Sequence, residues 1–189
     1  MPVEKRIFLK RRPSWGRTQA RLRKERKTDR FISSIWHFSK KLDKQHPVSE
    51  KRGSKRSSQE ERNNLIQQQK MARFLFNLGL KECKFSAETN NKMRHLFSIL
   101  SRRINPESHK KGVFIVSKKT VEQEQALAEE IGERNLSKFY VEFSQMCFDF
   151  GIVQLGASLA RGGVGGEHTI INASHKVASL MQRVLPEDY

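Results

Sequence analysis

A chain of 189 residues with 37 Lys and Arg against 20 Asp and Glu carries a formal charge of +17 and has length for one ordinary domain plus an appendage. Its two cysteines, Cys83 and Cys147, supply neither a disulfide framework nor a ligand set for structural zinc, which suits a reducing compartment. No apolar run approaches the roughly 18 residues of a membrane span, and the opening MPVEKRIFLKRR lacks the apolar stretch of a secretory signal. The expected location is therefore intracellular (cytoplasm, nucleoid or nucleus) or inside a virion.

The charge is polarised along the chain. Residues 1–57 hold 19 basic against 5 acidic residues, 58–119 hold 13 against 5, and 120–189 hold 5 against 10. Uniform solubilising charge does not explain a reversal of sign. A polyanion neutralising the first segment does, and nucleic acid is the foremost such partner.

Taken in order, residues 1–27 carry the basic clusters KRIFLKRR (5–12) and RLRKERK (21–27), interrupted by Pro13 and Gly16. They are expected to be largely disordered in free solution. At 29–42, Ile32, Ile35, Trp36 and Leu42 fall near helical spacing, with Arg30, Lys40, Lys41 and Lys44 supplying charge, which predicts a short amphipathic helix. Residues 43–58 combine Pro, Gly, Ser and charge as linkers do.

The body, 58–189, is predicted to be mainly α, with about four or five helices and a minor two-stranded element. Ser57 or Ser58, each followed three residues later by Glu60 or Glu61, can form a capping box for a helix reaching about Leu78, with Gly79 as its stop. Its stripe is Leu65, Met71, Ala72, Leu75 and Leu78. A second helix from about Ser86 to Ile104 places Met93, Leu96, Phe97, Leu100 and Ile104 on one face. Lys92, Arg94, Arg102 and Arg103 lie outside that stripe, and Asn105 and Pro106 end the helix. GVFIV at 112–116 is the best strand candidate, with TII at 169–171 as its mate.

Thr120 can cap an acidic helix running to about Arg134, where Glu130 and Arg134 stand four apart in the favourable order. Residues 136–160 are the most apolar segment, with a stripe of Leu136, Phe139, Tyr140, Phe143, Met146, Cys147, Phe150 and Val153. Ile152, Leu155 and Leu159 add a second face, so this is the expected central helix. A last helix at 172–185 shows Val177, Leu180, Met181 and Val184.

Lys5, Arg6, Lys10, Arg11, Arg12, Arg17, Arg21, Arg23, Lys24, Arg26, Lys27 and Arg30 are the candidate phosphate contacts of the arm, and Lys92, Arg94, Arg102 and Arg103 extend them onto the body. Each cation that neutralises a phosphate releases a counterion, so such a segment binds tightly and in a salt-sensitive, sequence-tolerant way. Trp15, Phe31, Trp36 and Phe38 could stack on unpaired bases, but the spacing of Ile32, Ile35 and Trp36 favours packing. Lying on an anionic membrane is the less favoured use of the same stretch. The first two body helices resemble a helix-turn-helix only loosely, their connection being longer than three or four residues.

Enzymatic and metal readings fare worse. The GGVGG run at 162–166 has no following Gly-Lys-Ser/Thr and reads as a helix-ending connection. Gly156, Ala157 and Ser158 begin a nucleophile elbow, but Ala160 stands where Gly is required. Cys147 sits on an apolar stripe and reads as a core residue. His168 and His175 lack a third ligand, and Glu122, Glu124, Glu129, Glu130 and Glu133 read as a solvated face. No cofactor or metal pattern remains; an enzyme would need a pocket at Arg161, Glu167 and His168.

The expectation is a non-enzymatic accessory or regulatory protein that binds nucleic acid, DNA in preference to RNA, through residues 1–57. The alternative is an RNA-binding scaffold of a ribonucleoprotein or virion. The carboxy-terminal body could also recruit a protein partner or a second copy.

Overall fold

The computed structural model describes residues 15–48, 57–102, 118–161 and 167–185, with side chains for 30–48, 57–102, 118–151 and 169–185. Six helices account for most of them: α1 (Trp15–Gln45), α2 (Ser58–Cys83), α3 (Ala87–Arg102), α4 (Lys118–Ile131), α5 (Glu133–Arg161) and α6 (Glu167–Gln182). The chain is mainly helical, as expected, with slightly more helices than expected and no strand among the described residues. The 112–116 segment lies outside the described residues. Its expected mate does not form a strand: Thr169, Ile170 and Ile171 belong to α6, where Ile170, Ala173, Val177 and Leu180 are buried at helical spacing. Burial of that face outweighs the β preference of three branched residues.

The chain divides into two compact units, Met1–Trp36 and His37–Tyr189. In the first, the described part is the leading portion of α1. This helix corrects the expectation of disorder for residues 15–27 and of a short helix confined to 29–42; residues 1–14 of the expected arm lie outside the described residues. Between Arg17 and Lys27 the sequence is Arg, Lys, Gln, Leu, Ala and Glu with one Thr and no Gly or Pro, and most of these are strong helix formers. Charge density suggested disorder; propensity carries the helix through.

In the second unit, the last turns of α1 are fastened to α2. Leu42 is buried, Phe38 stacks on Phe74 with ring centroids 4.1 Å apart, and the buried Gln67 side-chain amide donates to the His46 carbonyl at 2.6 Å. Asn63 donates to the Pro47 carbonyl at 3.0 Å, and the Lys70 ammonium meets His46 Nε2 at 2.8 Å. Phe38 is thus committed to packing rather than to a base.

Helix α2 starts as its sequence dictates. Ser57 Oγ accepts from the Glu60 backbone amide and the Glu60 carboxylate accepts from the Ser57 amide, both at 3.2 Å. It does not stop at Gly79. That glycine is buried inside the helix because a Cβ there would lie 2.9 Å from Phe139 Cε2 on α5. Gly79→Ala is therefore expected to lower stability by about 1–3 kcal/mol despite alanine's better helix propensity, as measured by urea unfolding. A variant as stable as the parent would mean that the Phe139 ring can move aside.

Cys83 ends α2, and Lys84 occupies the left-handed region at φ 52°, ψ 42°. A Cβ at that geometry costs about 1 kcal/mol that glycine avoids. Lys84→Gly should stabilise the protein, less the entropy glycine loses on folding, and a lowered unfolding midpoint would contradict the assignment. The link to α3 is then only 84–86, shorter than the expected connection. Ser86 caps α3 by accepting the Thr89 amide at 3.1 Å.

Met93, Leu96, Phe97 and Leu100 of α3 are buried as predicted. The core continues through Phe76, which stacks on Phe97 at 4.1 Å and tilts against Phe139 at 4.9 Å, and Phe139 lies 5.7 Å from Phe143. Helix α2 packs against α5 and α6, α3 against α4 and α6, and α5 also against α4 and α6. Three expectations fail here. The acidic helix breaks at Gly132, φ +82°, so Glu130 and Arg134 lie on different helices, and Glu124 is buried rather than solvated. Helix α5 is not enclosed on all sides either: Val141 is 56% and Phe148 62% exposed.

Candidate nucleic-acid interface

The arm's candidates fall into three groups. Lys5, Arg6, Lys10, Arg11 and Arg12 lie outside the described residues. Arg17, Arg21, Arg23, Lys24, Arg26 and Lys27 are residues of α1 whose side chains are not described, and Arg30 is an exposed residue of the same helix. Over its length α1 has ten Lys or Arg against three Asp or Glu. These residues are thus gathered on one helical element of the sequence.

On the body, α3 holds the candidates in different states. Lys92 is spent within the protein, its ammonium 2.9 Å from Glu88 and 3.3 Å from Glu130 of α4. The hydrogen bond from Lys92, then its charge, holds the Glu88 carboxyl below the usual carboxylate range, and the bonds to Glu88 and Glu130 raise Lys92 in turn. Arg94 is exposed and bonds two neutral amides, Asn77 Oδ1 at 3.2 Å and Asn91 Oδ1 at 3.3 Å, with no carboxylate partner among the described residues. Arg102 is exposed at the end of α3, and Arg103 lies outside the described residues.

Arg102 has company that sequence reasoning missed. It shares a cavity of about 160 Å³ with Arg73 of α2 and Lys176 of α6, lined also by Gln69, Ala72, Phe97, Ser101 and Leu180. Three basic residues from three helices line it, with no carboxylate among the described lining residues, alongside the apolar Ala72, Phe97 and Leu180. Partial burial pushes the Lys176 ammonium below its ordinary pKa. Neither stands out in the sequence: Arg73 interrupts an apolar stripe, and Lys176 lies in the net-acidic last third of the chain. The available signal was that each borders a core position, Ala72 or Val177.

The other candidate chemistries find little support in their surroundings. Burial, reinforced by Glu142, pushes the Cys83 thiol up to about 12, partly offset by Lys138; burial pushes Cys147 up to about 11 despite a hydrogen bond with Ser174. Thiols so placed stay protonated at neutral pH and are poor nucleophiles. Gly156, Ala157 and Ser158 continue α5, so the strand-to-helix turn of a nucleophile elbow does not form. The 162–166 glycine run and the His168 side chain lie outside the description. Among the described residues no three His, Cys, Asp or Glu side chains group as metal ligands, and no helix is long and apolar enough to cross a membrane.

Fold and charge together describe a helical body with a basic leading helix. No protein family, curated protein or solved structure matches this chain.

Proposed function

We propose that this protein is a non-enzymatic nucleic-acid-binding factor, accessory or regulatory in role, which acts on DNA in preference to RNA inside a cell or particle. The observation that carries this reading is the single helix α1 with ten basic against three acidic residues, set in a chain whose residues 120–189 are net negative. Residues 1–57 supply most phosphate contacts, and Arg94 and Arg102 extend them onto the body.

Salt dependence tests the mechanism. With about six phosphates neutralised, log K against log salt should fall with a slope near −5 for duplex DNA. A slope near zero with intact binding would remove the electrostatic mechanism. Running matched duplex DNA and structured RNA side by side decides the class of partner: tighter RNA binding would favour a scaffold of a ribonucleoprotein or virion. Sequencing the nucleic acid that copurifies with the full chain identifies the natural target.

A further inference from the structure

We propose that the cavity between α2, α3 and α6 is a seat for one phosphate group of the bound nucleic acid, gripped by Arg73, Arg102 and Lys176. This rests on the function proposed above and adds a defined anchoring point to it.

Three features of the cavity support the assignment. First, Arg73, Arg102 and Lys176 line one cavity, and among the described residues no carboxylate lines it and no acidic side chain pairs with any of the three. Lys92 shows the contrast: on the same α3, it has two carboxylate partners. Cations gathered without a counter-charge repel one another, and an anion relieves that repulsion.

Second, the donor set matches a tetrahedral oxyanion. Two guanidinium forks can each bond phosphate oxygens in pairs, Lys176 adds a point charge, and Gln69 and Ser101 add neutral donors. Third, the cavity is held by the core. Arg73 follows buried Ala72, Lys176 precedes buried Val177, and the floor is Phe97 and Leu180, so the three backbones cannot drift apart without unpacking the body. The half-buried Lys176 ammonium is already partly stripped of water, which strengthens its attraction to an anion.

A single seat and a diffuse basic surface differ in stoichiometry. One phosphate neutralised in the cavity counts once in the salt slope, however many side chains hold it, whereas three cations on three separate phosphates count three times. The test compares the full chain with an Arg73→Gln/Arg102→Gln/Lys176→Met variant, chosen to remove charge while keeping stems that pack. Circular dichroism and thermal unfolding establish that the variant is folded; Arg102→Gln alone, at an exposed position, serves if the triple variant is not.

Two readouts follow. Inorganic phosphate, titrated at constant ionic strength against a chloride control, should shift the NMR signals of Arg73, Arg102 and Lys176 in the parent and lose that saturable effect in the variant. On duplex DNA the triple variant should bind several-fold more weakly, with the salt slope shallower by about 1. No saturable phosphate shift, or an unchanged slope and affinity for DNA, overturns the seat; a slope change near 3 overturns its single-phosphate stoichiometry. If the parent binds no nucleic acid at all, the proposed function itself fails, a result distinct from a parent that binds DNA equally well without the cavity cations.

Discussion

Phe139→Ala is expected to remove about 3–5 kcal/mol of stability, the range for emptying a fully buried phenylalanine site. Phe139 has no exposed surface, and its ring touches three other parts of the core: Phe76 on α2 at 4.9 Å, Phe143 on α5 at 5.7 Å, and the backbone of Gly79. The ring fills the space that the missing Gly79 side chain leaves open. Truncation therefore leaves a cavity at the crossing of α2 and α5, and neither helix can collapse into it without displacing Phe76 from its stack on Phe97. A domain whose total stability is about 5–15 kcal/mol loses a large fraction of it. Urea unfolding should show a lower midpoint with little change in slope. Phe148→Ala, at an exposed ring on the same helix, should change stability by less than about 0.5 kcal/mol. Equal costs for the two substitutions would show that α5 does not pack on the Phe139 side.

How much of this was legible in the sequence depended on whether one helix face decided the outcome. The stripe of α3 and the capping box at Ser57 and Glu60 are local patterns, and both appear where the residues place them. Gly79 and Gly132 could not be told apart in advance. Both are glycines in helical patterns, yet one admits a phenylalanine ring and the other turns the chain at positive φ; only the packing of α5 on α2 distinguishes them. Lys92 read as a surface cation because its second partner, Glu130, is 38 positions away on α4. The same limit hid the cavity: Arg73 and Lys176 carry no joint signal until α2 and α6 come together.

The charge of α1 makes the largest prediction about binding. Replacing Arg21, Arg23, Lys24, Arg26 and Lys27 with Gln removes five positive charges but retains residues of good helix propensity, so circular dichroism should show α1 intact. At 100° per residue Arg23, Lys24, Arg26 and Lys27 fall within an arc of about 160° and Arg21 lies off it, so a rigid helix can set about three of the five against the phosphates of one duplex. Each phosphate contact contributes about 0.9 to the slope of log K against log salt, so the variant's slope should be shallower by about 3. A parent with a slope near −5 loses roughly 10³-fold in affinity between 50 and 200 mM salt; the variant should lose only about 10- to 30-fold. A drop near 5 would mean that all five cations reach phosphate together, which requires the segment to leave the helix on binding. Lys138→Gln with Arg183→Gln, two cations of the net-acidic final third, should leave the slope unchanged. If that pair lowers the slope as much as the five α1 substitutions do, the leading helix has no special claim on the nucleic acid, and binding follows net charge alone.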